Sequence, residues 1–320
     1  MTKEERLELV KHLTKTRPGE NKPFEAPKFY YQYYKNTTVE EKVIKTSAGD
    51  TSIWLIDKIG RQKNNAVFIN IHGGGFVAPH MERDIAFCRR IAAELGILVV
   101  DISYRTVEES GFPVACHECY DCVKWVVEHK DDLSIDTSRI IVGGHSAGAN
   151  LTVGIALQAK QKKEFDLALL VLDYPPLDLF TDPADKPESD KTMISPQRAR
   201  DFNLLYVGNE TNAKNILASP VLATREELMS LPETLIYTAG HDNLRFEAER
   251  FANQLVEAGV QVTVRRFLNS GHGFVIGCAG EYNEAIYGMK EAMLKVVHRI
   301  ENVSVKYDTA DGDPTFTGEE

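Results

Sequence analysis

The sequence predicts an α/β fold: a mostly parallel sheet covered by helices on both faces. Three observations carry this. Six short apolar or β-branched runs, at residues 66–71, 97–103, 140–143, 167–172, 234–239 and 261–267, have strand length. Helical periodicity fills most of the gaps, at 81–95, 114–129, 149–162, 244–258 and 281–300. Strand–helix alternation of this kind implies parallel pairing. Finally, residues 41–57 alternate around Ala48-Gly49-Asp50 and read as a β-hairpin, which adds antiparallel strands at one edge.

The remaining elements follow in chain order. Residues 1–40 are polar, aromatic and proline-containing, with a candidate helix at 2–16. Residues 22–34 carry Phe24, Phe29, Tyr30, Tyr31, Tyr33 and Tyr34. Such a cluster packs against a core, or forms a lid over an apolar pocket. Residues 41–177 and 218–307 hold the strands and helices of the core. Between them, residues 178–217 break the rhythm, polar and proline-rich at first and helical at 195–207. A long excursion inside a compact domain is functional or disordered. Here it is expected to form one half of a cap, with 1–40 as the other. The tail, 308–320, is expected to be disordered.

Bulk properties narrow the class. The 320 residues suit one large α/β domain with an insertion, or two small domains. A net charge of −10 argues against a nucleic-acid surface and offers no basic membrane patch. The first ten residues lack the apolar segment and cleavage site of a signal peptide, and no apolar run approaches a membrane span. Five cysteines, an odd number without a small-scaffold pattern, point to a reducing cytoplasm. Cys116-His-Glu-Cys119-Tyr-Asp-Cys122 invites a metal reading. On a helix, however, these thiols should spread round the surface, and no fourth ligand follows, so small core residues are expected.

Four turns carry chemistry. Gly144-His145-Ser146-Ala147-Gly148 sits between a strand and a helix, the context of a nucleophile elbow. The turn is so tight that neighbouring side chains would clash, hence glycine on both sides. It lifts the serine oxygen above the sheet, where the helix N-terminus directs free N–H groups at developing charge. His72-Gly73-Gly74-Gly75-Phe76 directly follows a strand, and its glycines allow the backbone to approach a ligand with N–H groups inward. Gly240-His241-Asp242 and Gly271-His272-Gly273 also follow strands. A serine hydroxyl needs a base to take its proton, and the base needs an acid to hold its tautomer. The chain order Ser…Asp…His is the one these turns supply.

These residues resemble the hormone-sensitive-lipase-like family of α/β-hydrolases, which includes bacterial carboxylesterases and acetyl esterases. The likeness covers roughly residues 60–300. It rests on His72-Gly-Gly-Gly-Phe76, Ser103-Tyr104-Arg105, Gly111-Phe112-Pro113, Gly144-His-Ser-Ala-Gly148 with Asn150, Asp173-Tyr174-Pro175, Gly240-His-Asp242 with Leu244, and His272-Gly273-Phe274. The resemblance implies an α/β-hydrolase fold with a helical cap and a serine hydrolase of small, short-acyl esters. Ser146 would be the nucleophile, Asp242 the acid, His272 the base, and the N–H groups of Gly74, Gly75 and Ala147 the oxyanion donors. His72, Gly73, Gly144 and Gly148 support those turns. The chain departs from the family pattern at His145, where Asp is usual, at Ala149, where Gly is usual, and at Asn243, where Pro or Val is common.

Elimination among the histidines and acids agrees. His241 should point away from Asp242, and His298 lies in the final helix, which leaves His272. Asp173 and Asp178 are the serious competitors to Asp242. No metal or organic cofactor is implied, and a small-molecule ester is the expected partner. A homodimer is compatible. The alternatives are an amidase or lactonase with the same triad, or a ligand-binding protein on this fold without turnover.

Overall fold

The computed structural model describes residues 2–16, 24–190, 193–298, 306–307 and 314–315. Eight strands form one sheet: β1 Thr37–Thr46, β2 Gly49–Lys58, β3 Asn65–Ile71, β4 Leu98–Ser103, β5 Ile135–His145, β6 Leu169–Asp173, β7 Glu233–His241 and β8 Val262–Gly271. Their spatial order is β1-β2-β4-β3-β5-β6-β7-β8. β2 pairs antiparallel with β1 and β4; every pairing from β4 to β8 is parallel.

Helices cover both faces, which is why the central strands read as continuous apolar runs. Val67, Ile69 and Ile71 of β3 face the helices Val114–Glu128, Ala147–Lys162 and Arg245–Glu257. Ala66 and Phe68 face Glu82–Leu95 and Tyr282–Val297. This is the period of two expected of a strand buried on both sides.

Element ends differ from the sequence reading where polar residues continue a strand. β5 begins at Ile135 rather than 140, because Ile135 pairs with Asn65 across a register shift that admits polar Asp136–Arg139. Residues 299 and 300, expected to end the last helix, lie outside the described residues. So does most of the tail expected to be disordered; Pro314–Thr315 pairs antiparallel with Lys306–Tyr307.

Two segments meet above the strand C-termini. Helix Lys3–Lys15 starts at a capping box, in which the Glu5 N–H donates to Thr2 Oγ1 (3.2 Å) and the Thr2 N–H to Glu5 Oε2 (2.7 Å). Helix Pro196–Tyr206 starts with Ser195 Oγ accepting from the Arg198 N–H. Arg198 joins them, donating to Leu13 O and Thr16 Oγ1, each at 2.8 Å.

The aromatic stretch does not reach this junction. Tyr30 and Tyr33 are buried against Ala86 of the helix Glu82–Leu95, and the Tyr34 hydroxyl donates to Glu82 (2.7 Å). They are packing residues, and the lid reading of that stretch fails. The three cysteines of the Cys-x-x-Cys-x-x-Cys run are also internal. They do not spread round the surface, because spacings of three and six residues sweep only about 120° of a helix. All three are fully buried on one face. Burial pushes the Cys116 thiol up to about 12 and those of Cys119 and Cys122 well above the ordinary thiol range.

Candidate active site

Ser146 is the single residue between β5, which ends at His145, and the helix that begins at Ala147. Its backbone has φ 52° and ψ −117°, a conformation that costs about 1–3 kcal/mol. The Ser146 N–H donates to Asp173 O (2.9 Å), which ties the turn to the end of β6. A Cβ on Gly148 would lie 2.0 Å from Ile71 O, so only glycine lets the new helix pass so close to β3. The turn thus forms because the packing beneath it leaves one path.

His272 stands after β8. Its Nε2 is 2.9 Å from Ser146 Oγ and its Nδ1 is 2.7 Å from Asp242 Oδ2. Asp242 is fully buried, and its Oδ1 accepts from the Leu244 N–H (3.2 Å). The pair meets because of a register shift: Ala239 pairs with Phe267, whereas His241 pairs with Gly271. At Gly240 between them a Cβ would sit 2.3 Å from Leu268 O. The glycine therefore allows β7 and β8 to close up and release Asp242 and His272 side by side. The Tyr174 ring stands edge-on to His272 at 5.0 Å and fixes its plane.

The other candidates fall elsewhere. His241 and His298 are exposed. Asp178 Oδ1 accepts from the Phe180 and Thr181 N–H groups, a local turn. Asp173 lies beside His145, with Oδ2 2.8 Å from Nδ1.

The glycine loop after β3 brings its backbone to Ser146. Gly74 has φ 128° and Gly75 φ 64°. A Cβ on Gly73 would lie 2.7 Å from His145 O. Among the described residues the Gly74 and Gly75 N–H groups make no hydrogen bond, and Ala147 is the first residue of its helix, where N–H groups lack an intrahelical acceptor. His72 is buried and stacks on Tyr104 at 4.2 Å, with Nδ1 2.9 Å from Gly73 O. Burial holds its pKa below the ordinary imidazole value.

Sequence reasoning missed the network under this loop. Asn70 Nδ2 donates to Asp101 Oδ1 (2.8 Å), and His80 Nε2 lies 2.6 Å from Asp101 Oδ2. His80 stacks on Trp54 at 4.1 Å. The signal was present: Asn70 and Asp101 are polar residues inside two apolar runs, and they are register partners. Buried polar groups of this kind need partners.

Above Ser146 lies a cavity of about 620 Å³. Its walls come from both segments over the sheet, through Leu13 and Thr14 on one side and Met193, Phe202 and Asn203 on the other. Site, donors and enclosure together suit acyl transfer.

Known proteins share this arrangement of chain. The profile of the α/β-hydrolase fold family matches residues 68–276. An arylesterase from Saccharolobus solfataricus is 28% identical over 225 residues, covering 67% of this chain and 70% of that protein. Esterase LipI of Mycobacterium tuberculosis is 32% identical over 225 residues, covering 68% of each. Among solved structures, a hyperthermophilic esterase from the archaeon Pyrobaculum calidifontis matches with a TM-score of 0.74 and 28% identity, over 93% of this chain and 91% of that one.

Proposed function

The chain belongs to the hormone-sensitive-lipase-like family of the α/β-hydrolase fold, and from that premise we propose that it cleaves small, short-acyl carboxylic esters through an acyl-enzyme on Ser146. It is a carboxylic ester hydrolase, as relatives named esterase and arylesterase are. The observation that carries the mechanism is the continuous chain Asp242–His272–Ser146, at 2.7 and 2.9 Å.

In this reading Ser146 Oγ attacks the ester carbonyl while its proton passes to His272 Nε2. Asp242 accepts from Nδ1–H and stabilises the imidazolium. The oxyanion is received by the Gly74, Gly75 and Ala147 N–H groups, each such donor contributing about 10²–10³ in rate. The carbon–oxygen bond to the alcohol breaks as His272 returns the proton to it. A water molecule then repeats the sequence on the acyl-enzyme and releases the acid.

Of the two expected cap segments, 178–217 and, from 1–40, the helix Lys3–Lys15 act as the cap, supported by Leu13 and Phe202 facing one cavity. A homodimer and a cytoplasmic setting complete the reading. β8 is an edge strand with Val264 and Leu268 exposed, where a second copy can add. No cysteine is paired with another, as a reducing compartment requires, and among the described residues no helix is long and apolar enough to cross a membrane. Sedimentation tests the dimer. The activity is tested by hydrolysis of p-nitrophenyl acetate and by trapping with a serine-directed phosphonate. Absence of turnover would favour a binding protein on this fold.

A further inference from the structure

The ionic side chains that line the cavity are opposite in sign to the net charge of the molecule. The chain carries a net charge of −10. Yet the ionic side chains lining the cavity above Ser146 are Arg83, Lys186 and Arg198, and among the described residues no aspartate or glutamate lines it. Two of the three cations are committed elsewhere. Lys186 is paired with buried Glu247 and donates to Asp178 O (2.6 Å). Arg198 donates to Leu13 O and Thr16 Oγ1 and lies over the Phe202 ring.

Arg83 has no such commitment. Among the described residues its guanidinium makes no hydrogen bond or ion pair, and its Nε is buried without a partner. Its helix neighbour Asp84 is buried and feels the Arg83 charge, but its carboxyl accepts from the Met81 N–H (2.9 Å) and makes no direct ion pair with the guanidinium. A buried donor left unsatisfied costs about 1–3 kcal/mol, so a native structure that keeps one needs a reason. The guanidinium fork fits a carboxylate with two parallel hydrogen bonds. In a partly dehydrated cavity such a contact is far stronger than at an open surface.

Resting on the ester-hydrolase reading above, we infer that the preferred substrate is an ester bearing a carboxylate elsewhere in the molecule, and that Arg83 receives it. Arg83 is then the specificity-determining residue. The cationic side chains of the lining also favour anionic esters over cationic ones.

Two substrate pairs test this. 4-Nitrophenyl hemisuccinate against 4-nitrophenyl valerate places the carboxylate on the acyl side; 4-acetoxybenzoate against methyl 4-acetoxybenzoate places it on the alcohol side. The quantity read is the ratio of kcat/KM for the anionic over the neutral ester. In at least one pair the wild type should favour the anion, and Arg83→Gln should lower that ratio by at least about tenfold. Arg83→Lys should restore part of it, while Arg200→Gln, on the surface with Asp182, should leave it as in wild type. A wild type with no anion preference in either pair, or a ratio unmoved by Arg83→Gln, overturns the inference. Binding without turnover provides a second test. Calorimetric titration of Ser146→Ala with the same anionic esters should show binding that weakens at least tenfold when Arg83→Gln is added, and equal affinities overturn the inference. If the wild type hydrolyses none of the four esters, the hydrolase reading fails by itself, and this titration still decides the role of Arg83.

Discussion

His145 Nδ1 lies 2.8 Å from Asp173 Oδ2 at the ends of neighbouring strands, one residue before Ser146. The site therefore holds two histidine–aspartate pairs, and only one reaches the serine. The contact is close but poorly aimed, since neither Asp173 carboxylate oxygen has a hydrogen-bond partner among the described residues. Asp242, by contrast, meets His272 on the far side from Ser146. Asp242→Asn should thus lower kcat by about 10⁴ through the wrong imidazole tautomer. Asp173→Asn should cost far less. Steady-state kinetics of both variants decide, and the reverse order of severity would make Asp173 the acid.

Ser146→Ala should abolish ester hydrolysis with little change in fold, because alanine fits the space the turn leaves. A phosphonate should label the wild type once, at Ser146, by mass spectrometry of the digest. Label on another serine, or activity in the alanine variant, would refute the mechanism.

Removal of residues 1–16 should open the cavity wall formed by Leu13 and Thr14 and release Arg198 from Leu13 O and Thr16 Oγ1. Val10 and Leu13 are buried, so the melting temperature should fall as well. KM for short esters should rise about tenfold or more, since an opened site loses apolar contact with substrate. Unaltered kinetics in a soluble truncation would take this helix out of the cap.

Acyl preference should peak at about two to six carbons. Each methylene buried adds about 0.8 kcal/mol, or about fourfold in kcat/KM, only while room remains. Phe202 narrows the cavity, with its ring where a Cβ on Gly75 would lie 2.7 Å away. Phe202→Ala should shift the optimum to longer chains. A p-nitrophenyl ester series measures it, and best turnover on long-chain triglycerides would exclude the short-acyl reading.

His80 sets a pH dependence of stability. Burial lowers its pKa, but the carboxylates of Asp101, Asp84 and Glu82 together outweigh this and hold it above the ordinary imidazole value. The folded state thus binds the proton more tightly than the unfolded one. Its contribution is complete below about pH 6.5 and is lost as pH rises through the folded value. His80→Gln should therefore lower the melting temperature more at pH 5.5 than at pH 9. An equal loss at both values would mean that the pair is not charged in the folded protein.

Much of the site was legible because each turn has a local requirement. Gly74 and Gly75 adopt positive φ, and Gly148 faces a backbone oxygen where no side chain fits. Such demands show as glycines at fixed spacing. The helices were legible for the same short-range reason, apolar residues recurring on one face. The aromatic stretch around Tyr30 was not, because periodicity cannot say which surface an apolar side chain will cover.

By itself, then, the sequence determined the strand–helix alternation, the two glycine turns, and the order in which Ser146, Asp242 and His272 occur. Those properties depend on residues a few positions apart. Only the tertiary structure decided which aspartate lies beside which histidine, because that depends on β7 lying beside β8 and on the register shift at Gly240. It also decided that Arg83 lines the cavity with no carboxylate in a direct ion pair. Whether a charge is paired is set by side chains distant in sequence, and no local pattern encodes the ones that fail to arrive.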